Sequence, residues 1–420
     1  MGKHTKLLAV MVMALALLAF NNMFLFVTQT LFIHFIQQLP TIPTFINYVQ
    51  PEPTMRTLKE GDNVTVNSLS EAQSFMRTYN LSDLSRITLT ILYDNFTRRM
   101  PLFIRDKDRQ LFMLNEVNRG TFEPATRSLL RGEVNIVRNG TFAMPYDCGW
   151  KSSVEFVRKP RQATRTEVAL CPLLVPDSFS FQHFVDGTLP KIAQAYELLR
   201  RPEVKLLLEP ARDPVLHYML RAMNISEDRV IWHTSMTVYR ADYMIFTCVT
   251  PPLHPTLWLR MRRLLGVADK LMVPENQAVV ILLTRVRSRN GGRRIINKQE
   301  VIQFLRRRYG GKLVIFDGGL TLSQSMETFG KARVIVGVHG GGFYNLNFAP
   351  LTTTIIEFGP TLQGGEKLSL AHAIFWAMAD LLGQPYWRVP YIGINSQHDI
   401  NMDIASLKTV LEIVDRNVKV

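Results

Sequence analysis

His339, Gly340, Gly341 and Gly342 follow an apolar run from Arg333 to Val338 and lead into a helix-like stretch. Glycines let backbone N–H groups approach an anion, and a helix N-terminus adds partial positive charge, so the pattern suits phosphate binding. His339 can donate to a phosphate or sugar oxygen. Upstream, Arg285, Arg287, Arg289, Arg293 and Arg294 gather at and beyond the end of the apolar run VVILLTR. Guanidinium forks match diphosphate oxygens, and fixed cations stabilise a departing diphosphate. Glu357, just before Gly359 and Pro360, could accept from ribose hydroxyls, and Gln324 near a helix start is either a site residue or a partner for first-turn donors. In the first half, His183 and Asp186 stand three apart, hence on one face of a helix, and either could take a proton from a hydroxyl.

Rival chemistries can be tested against the letters. A dinucleotide fingerprint would need glycine at Asn345, and a P-loop would need Gly-Lys followed by Ser or Thr. His-Gly-Gly-Gly also builds the oxyanion hole of some esterases, but the required Gly-x-Ser-x-Gly elbow is missing. Asp106-Lys107-Asp108 has the Asp-x-Asp form of a metal motif, yet its place between two apolar arms predicts a hairpin turn, and no metal site is assigned.

The elements that would carry these residues read most clearly after Val279. Strand VVILLTR, helix KQEVIQFLRRRYG, strand KLVIFD, helix LSQSMETFGKA and strand RVIVGV lead to the glycine turn. A short helix, strand TTIIEF, helix KLSLAHAIFWAMADLLG, a strand near Tyr386 to Tyr391 and helix IASLKTVLEIVDR follow. This alternation predicts a parallel, Rossmann-like sheet, whose ligands gather at the carboxyl ends of the strands. The stretch up to Pro160 is mixed, with a strand over Arg86 to Tyr93.

At the other end, no charged residue interrupts Leu7 to Leu39, and Lys3 and Lys6 precede it. Leu7 to Phe26 is long enough to cross a bilayer, and the positive flank predicts type II topology with the body in a secretory lumen. A signal peptide cleaved near Ala14-Leu15-Ala16 is the rival reading. Sequons at Asn63, Asn80, Asn95, Asn139 and Asn224 suit a lumenal body. The expected organisation is a tail and anchor over 1–39, a stem over 40–60, a first domain over 61–265 and a second over 266–420. Cys148, Cys171 and Cys248 lack zinc-ligand spacing, and proximity in sequence favours a Cys148–Cys171 disulfide. The net charge of +14 points to anionic partners. Nucleic acid is disfavoured by the anchor and by the lack of an aromatic-interleaved basic motif.

Taken in order, His183 and Asp186, Arg285, Arg294 with Ile295 and Asn297, Glu300, Gln324, His339 to Asn345, and Ile356 with Glu357 resemble the pattern of glycosyltransferase family 61 over Ser178 to Ile413. Gly341 stands where the family has Ala, and Phe343 and Tyr344 stand where it has Leu and Thr. The resemblance implies an α/β fold of two facing Rossmann-like domains (GT-B type) and inverting transfer from a UDP-sugar, most often a pentose or N-acetylhexosamine, to a glycan or glycoprotein hydroxyl. It implies no obligatory metal, a Golgi or endoplasmic reticulum location, Asp186 or His183 as base, and Arg285, Arg294, Gln324, His339, Gly340, Gly341, Gly342, Asn345 and Glu357 around the nucleotide sugar. A lumenal binding protein that kept the sheet and lost catalysis is the competing class.

Overall fold

Among the described residues, twelve strands in two sheets position the residues singled out above. The computed structural model describes residues 58–59, 61–85, 87–113, 130–143, 163–211, 214–234, 237–267, 273–285, 292–360 and 370–417. Leu7 to Phe26, all of the expected stem but Leu58 and Lys59, and Cys148, Arg287 and Arg289 lie outside them. Among the described residues no helix is long and apolar enough to cross a membrane.

The first sheet has seven strands: β1 (Asn63–Val66), β2 (Ile87–Tyr93), β3 (Leu130–Phe142), β4 (Ala163–Pro172), β5 (Val204–Leu208), β6 (Val230–Trp232) and β7 (Thr237–Cys248). Their spatial order is β1-β2-β3-β7-β4-β5-β6. The sheet is mixed, because β3 pairs antiparallel with both β2 and β7 while its other pairings are parallel. Helices α1 (Leu69–Thr78), α2 (Asp106–Phe112), α3 (Leu189–Leu199), α4 (Pro214–Ala222) and α5 (Pro255–Leu264) accompany it.

The second sheet contains β8 (Val279–Leu283), β9 (Leu313–Phe316), β10 (Ala332–Val338), β11 (Thr354–Pro360) and β12 (Tyr386–Tyr391). All its pairings are parallel and its order is β12-β11-β10-β8-β9. Helices α6 (Lys298–Tyr309), α7 (Leu322–Phe329), α8 (Leu370–Leu381) and α9 (Ile404–Asn417) connect or follow these strands. The predicted alternation is therefore what forms, a mixed α/β architecture with parallel pairing in keeping with Rossmann-like folds. β10 and β11 are buried along nearly their whole length, which is why they read as continuous apolar runs instead of alternating ones.

Met55–Val420 groups as one compact unit. Its largest apolar core runs without a break from the first sheet, through Leu257, Trp258 and Met261 of α5, to Phe329, Phe343 and Trp376 beside the second. Val301, Leu305, Leu407 and Leu411 cover the opposite face of the second sheet.

Two expectations are corrected. Asp106 to Asp108 is not a hairpin turn but the first turn of α2, where its acids lie at the favourable end of the helix dipole and Arg105 pairs with Asp108. The preceding apolar arm is drawn away by tertiary pairing: Leu102 N–H donates to Tyr386 O at 2.8 Å, and Arg388 N–H donates to Leu102 O at 2.9 Å. The Cys148–Cys171 disulfide is also overturned, because Cys248 is the half-cystine and Cys171 is a buried thiol outside any disulfide. Sequence proximity misled there, since β4 buries Cys171 in the core while Cys248 ends β7.

Candidate active site

Counted from β8, the second sheet has the order 2-1-3-4-5, so the chain reverses direction between β8 and β10. A crevice opens beyond the carboxyl ends of strands at such a reversal. Arg285 leaves the end of β8 there and the glycine turn leaves the end of β10. Together with Thr284, Arg293 and Ile295 they line a small cleft.

Arg285 and Gly340 are matched in shape. A Cβ on residue 340 would lie 2.5 Å from Arg285 Nη2, so glycine is needed for the guanidinium to lie across the turn. Burial, and then the nearby Arg293, push the Arg285 guanidinium down to about 10, which leaves it charged at neutral pH. An anion in the cleft would relieve this crowding of like charges. Gly341 faces Gln182 of the first half, and a Cβ at residue 341 would meet its Oε1 at an ordinary 3.6 Å. Alanine would therefore fit at that position.

Behind the turn lies a buried polar network. His339 Nδ1 bonds Glu357 Oε1, the Tyr386 hydroxyl donates to Glu357 Oε2, and Arg388 Nη1 approaches Oε2 at 3.5 Å. All four residues are buried, with Glu357 wholly inaccessible to solvent. A carboxylate is tolerated there because donors surround it. Glu357 thus cannot accept from a ribose as expected; it orients His339 instead, and any contact of His339 with phosphate must go through Nε2. Tyr386 and Arg388 were not singled out from the sequence, although the register pairs Glu357 with Arg388. Opposite charges inside two neighbouring apolar strands were the available signal.

Other expected site residues have structural partners. Asn345 Nδ2 donates to Gly342 O at 2.9 Å and so braces the glycine turn from within. Gln324 forms a capping box with Thr321, accepting from the Thr321 N–H at 3.0 Å while Gln324 N–H donates to Thr321 Oγ1 at 3.3 Å. Arg294 turns to Asp399, with its Nη2 at 2.8 Å and its own N–H donating to the same carboxylate at 2.8 Å. Asn297 bonds the backbone of Met402 in both directions. Arg294, Gln324 and Asn297 therefore shape the surroundings, whereas Arg285, Arg293, Gly340 and Gly342 line the cleft itself.

The first half supplies the facing wall. Phe181–His183 forms a single α-turn, Phe184–Thr188 forms a π-helical turn, and α3 follows. The wider π-turn is a frequent device at functional positions. His183 Nδ1 lies 3.6 Å from Asp186 Oδ1, and the Asp186 carboxylate raises the His183 pKa above its usual range. Asp186 also accepts from the hydroxyl of Tyr344, which sits in the 3-10 helix Gly341–Phe348 directly after the glycines. That bond brings the expected base and the expected phosphate turn together across 158 positions of chain. No group of side chains suited to a metal ion occurs among the described residues.

All five glycosylation acceptors are exposed. Asn139, at an irregularity inside β3, and Asn224, in a turn, adopt positive φ, which asparagine tolerates better than most residues.

No curated protein matches the chain. Residues 181–356 match the family model described as Glycosyltransferase 61, a span that opens at Phe181 and closes beside Glu357. His183, Asp186, Arg285 and the glycine turn all fall inside it, so the chain carries a glycosyltransferase family 61 domain and is a glycosyltransferase.

Proposed function

We propose that the protein is an inverting glycosyltransferase of GT-B type, with the 61–265 and 266–420 parts as facing acceptor-side and nucleotide-sugar domains. Leu7 to Phe26 anchors it as a single-pass type II protein of the Golgi or endoplasmic reticulum, with the body in the lumen. The exposed acceptors Asn63, Asn80, Asn95, Asn139 and Asn224 support that side of the membrane. Its donor is a UDP-sugar carrying a pentose or an N-acetylhexosamine, and its acceptor is a hydroxyl of a glycan or glycoprotein.

The observation that carries this reading is the meeting of Arg285 with Gly340 at the sheet reversal, opposite Asp186. Asp186, beside His183, removes the acceptor proton. The acceptor oxygen then attacks the anomeric carbon from the face opposite the diphosphate, which inverts the centre. Charge developing on the leaving diphosphate is met by Arg285, by the glycine-turn N–H groups and by His339 held on Glu357. These groups supply fixed positive charge, so a divalent cation is not obligatory.

A thermal-unfolding screen of the protein against a panel of nucleotide sugars tests the reading. A donor at a hundred times its dissociation constant adds about 2.7 kcal/mol, a shift that such a screen resolves. Failure of every nucleotide sugar to raise the unfolding temperature sinks it.

A further inference from the structure

We propose that Tyr344 is a positioning residue for transfer: it fixes the Asp186 carboxylate relative to the phosphate turn and leaves the other carboxylate oxygen to receive the acceptor proton. The inference rests on the reading of Asp186 as base.

Four observations lead there. First, Tyr344 belongs to the 3-10 helix that begins at Gly341, so its position is set by the turn that faces the donor. Second, its ring is buried and stands edge-on to Phe375, with centroids 5.4 Å apart at 85°. A similar edge contact, 6.4 Å at 72°, joins it to Phe181 at the start of the α-turn that leads into the π-helical turn holding Asp186. The ring therefore has little freedom, and its hydroxyl is aimed by packing from both halves.

Third, the hydroxyl donates to Asp186 Oδ2. Burial, and then the Asp186 charge, raise the Tyr344 pKa far above its usual range, so the phenol remains a donor and cannot serve as the base. Fourth, Asp186 lies in the π-helical turn with a fifth of its side chain in solvent, and its Oδ1 is turned toward His183. With Oδ2 occupied, Oδ1 takes the proton. As the acceptor O–H bond breaks, the oxygen bonds to the anomeric carbon, and the bond from that carbon to the diphosphate breaks with its electron pair leaving on the nucleoside diphosphate.

The consequence is a mechanical link. A carboxylate free to rotate would meet the acceptor hydroxyl in only a fraction of its conformers, whereas one tethered to the donor turn is aligned whenever the turn is in place. Tyr344→Phe keeps the ring and its packing and removes only the tether.

The test compares the full chain with Y344F, D186N and the double variant, reading UDP release from UDP-xylose and from UDP-N-acetylglucosamine together with thermal unfolding. Y344F is expected to lower kcat by about ten- to a hundredfold with KM for the donor changed less than about twofold. The same substitution should change nothing further in the D186N background, and the unfolding temperatures of the four proteins should be non-additive. Native kcat in Y344F overturns the inference, as do strictly additive effects, since a residue that only fills space would act independently of Asp186. Native kcat in D186N removes Asp186 as the base and this inference with it; no UDP release from either donor by the native chain removes the reading of a pentose or N-acetylhexosamine donor as well. A strong D186N defect beside an active Y344F removes the inference alone.

Discussion

The two walls of the cleft differ in how their charges are held. On the side of the glycine turn, His339, Glu357, Tyr386 and Arg388 are buried, bonded to one another and carried on or just beyond adjacent parallel strands. On the opposite side, His183 is 41% exposed and Asp186 20% exposed, and both sit on a short irregular helical turn. A diphosphate is the same group in every donor, so a rigid and dehydrated wall can be complementary to it without reorganising. An acceptor must enter from solvent and present one hydroxyl, which requires an open wall. Tyr344 joins the rigid side to the open one.

The largest effect should follow from removing the carboxylate at the centre of the rigid wall. Glu357→Ala leaves Arg388 and His339 buried without it, and a loss of about 3–5 kcal/mol in urea unfolding is expected. Glu357→Gln keeps the volume and should lose less. Native unfolding in both would mean that this wall is not built around Glu357.

Next in size is the cleft cation. Arg285→Ala should weaken UDP binding by about ten- to a hundredfold, the loss of one or two charge-assisted hydrogen bonds, with little change in stability. Gly340→Ala should act in the same direction by a smaller factor, because its Cβ pushes the guanidinium aside. Calorimetric titration with UDP reads both. Unchanged affinity in Gly340→Ala would show that Arg285 works equally well from another position.

Gln324→Ala sharpens the boundary of the site. Loss of the capping box should cost about 1 kcal/mol in thermal unfolding and leave UDP affinity alone. A fall in affinity would return Gln324 to the cleft.

The smallest effect concerns the open wall. The Asp186 carboxylate raises the His183 pKa from its ordinary 6.5, so the pair's stabilising contribution is complete below that value and is lost as pH rises through the raised one. His183→Gln should therefore lower the unfolding temperature more at about pH 5.5 than at about pH 8. The difference should be small, about 0.3 kcal/mol, because solvent screens a half-exposed pair. A larger deficit at the higher pH would contradict the pairing.

Legibility in the sequence follows the same division. Each strand of the second sheet is a short apolar run and each connection a helix, so pattern and pairing agree along the chain and the glycine turn falls where the sheet reverses. In the first sheet, β3 has thirteen residues and pairs with β7, which begins almost a hundred positions later. Nothing local to either strand specifies that partner. The arm that contains Leu102 was misassigned for the same reason, since its partner β12 lies far downstream in the second sheet.

Residue types and order alone determined the family resemblance, the glycine turn, the cationic segment and the parallel half, because those properties depend on short-range spacing. Tertiary structure alone decided which polar residues face the cleft and which support it. Glu357 became the partner of His339 once the register of β11 and β12 set Arg388 beside it. Arg294 was taken by Asp399, and Tyr344 reached Asp186, through contacts between residues more than a hundred positions apart. A side chain's role depends on whether folding leaves it facing solvent or a buried partner, and that choice is made by the packing of distant elements rather than by its neighbours in the chain.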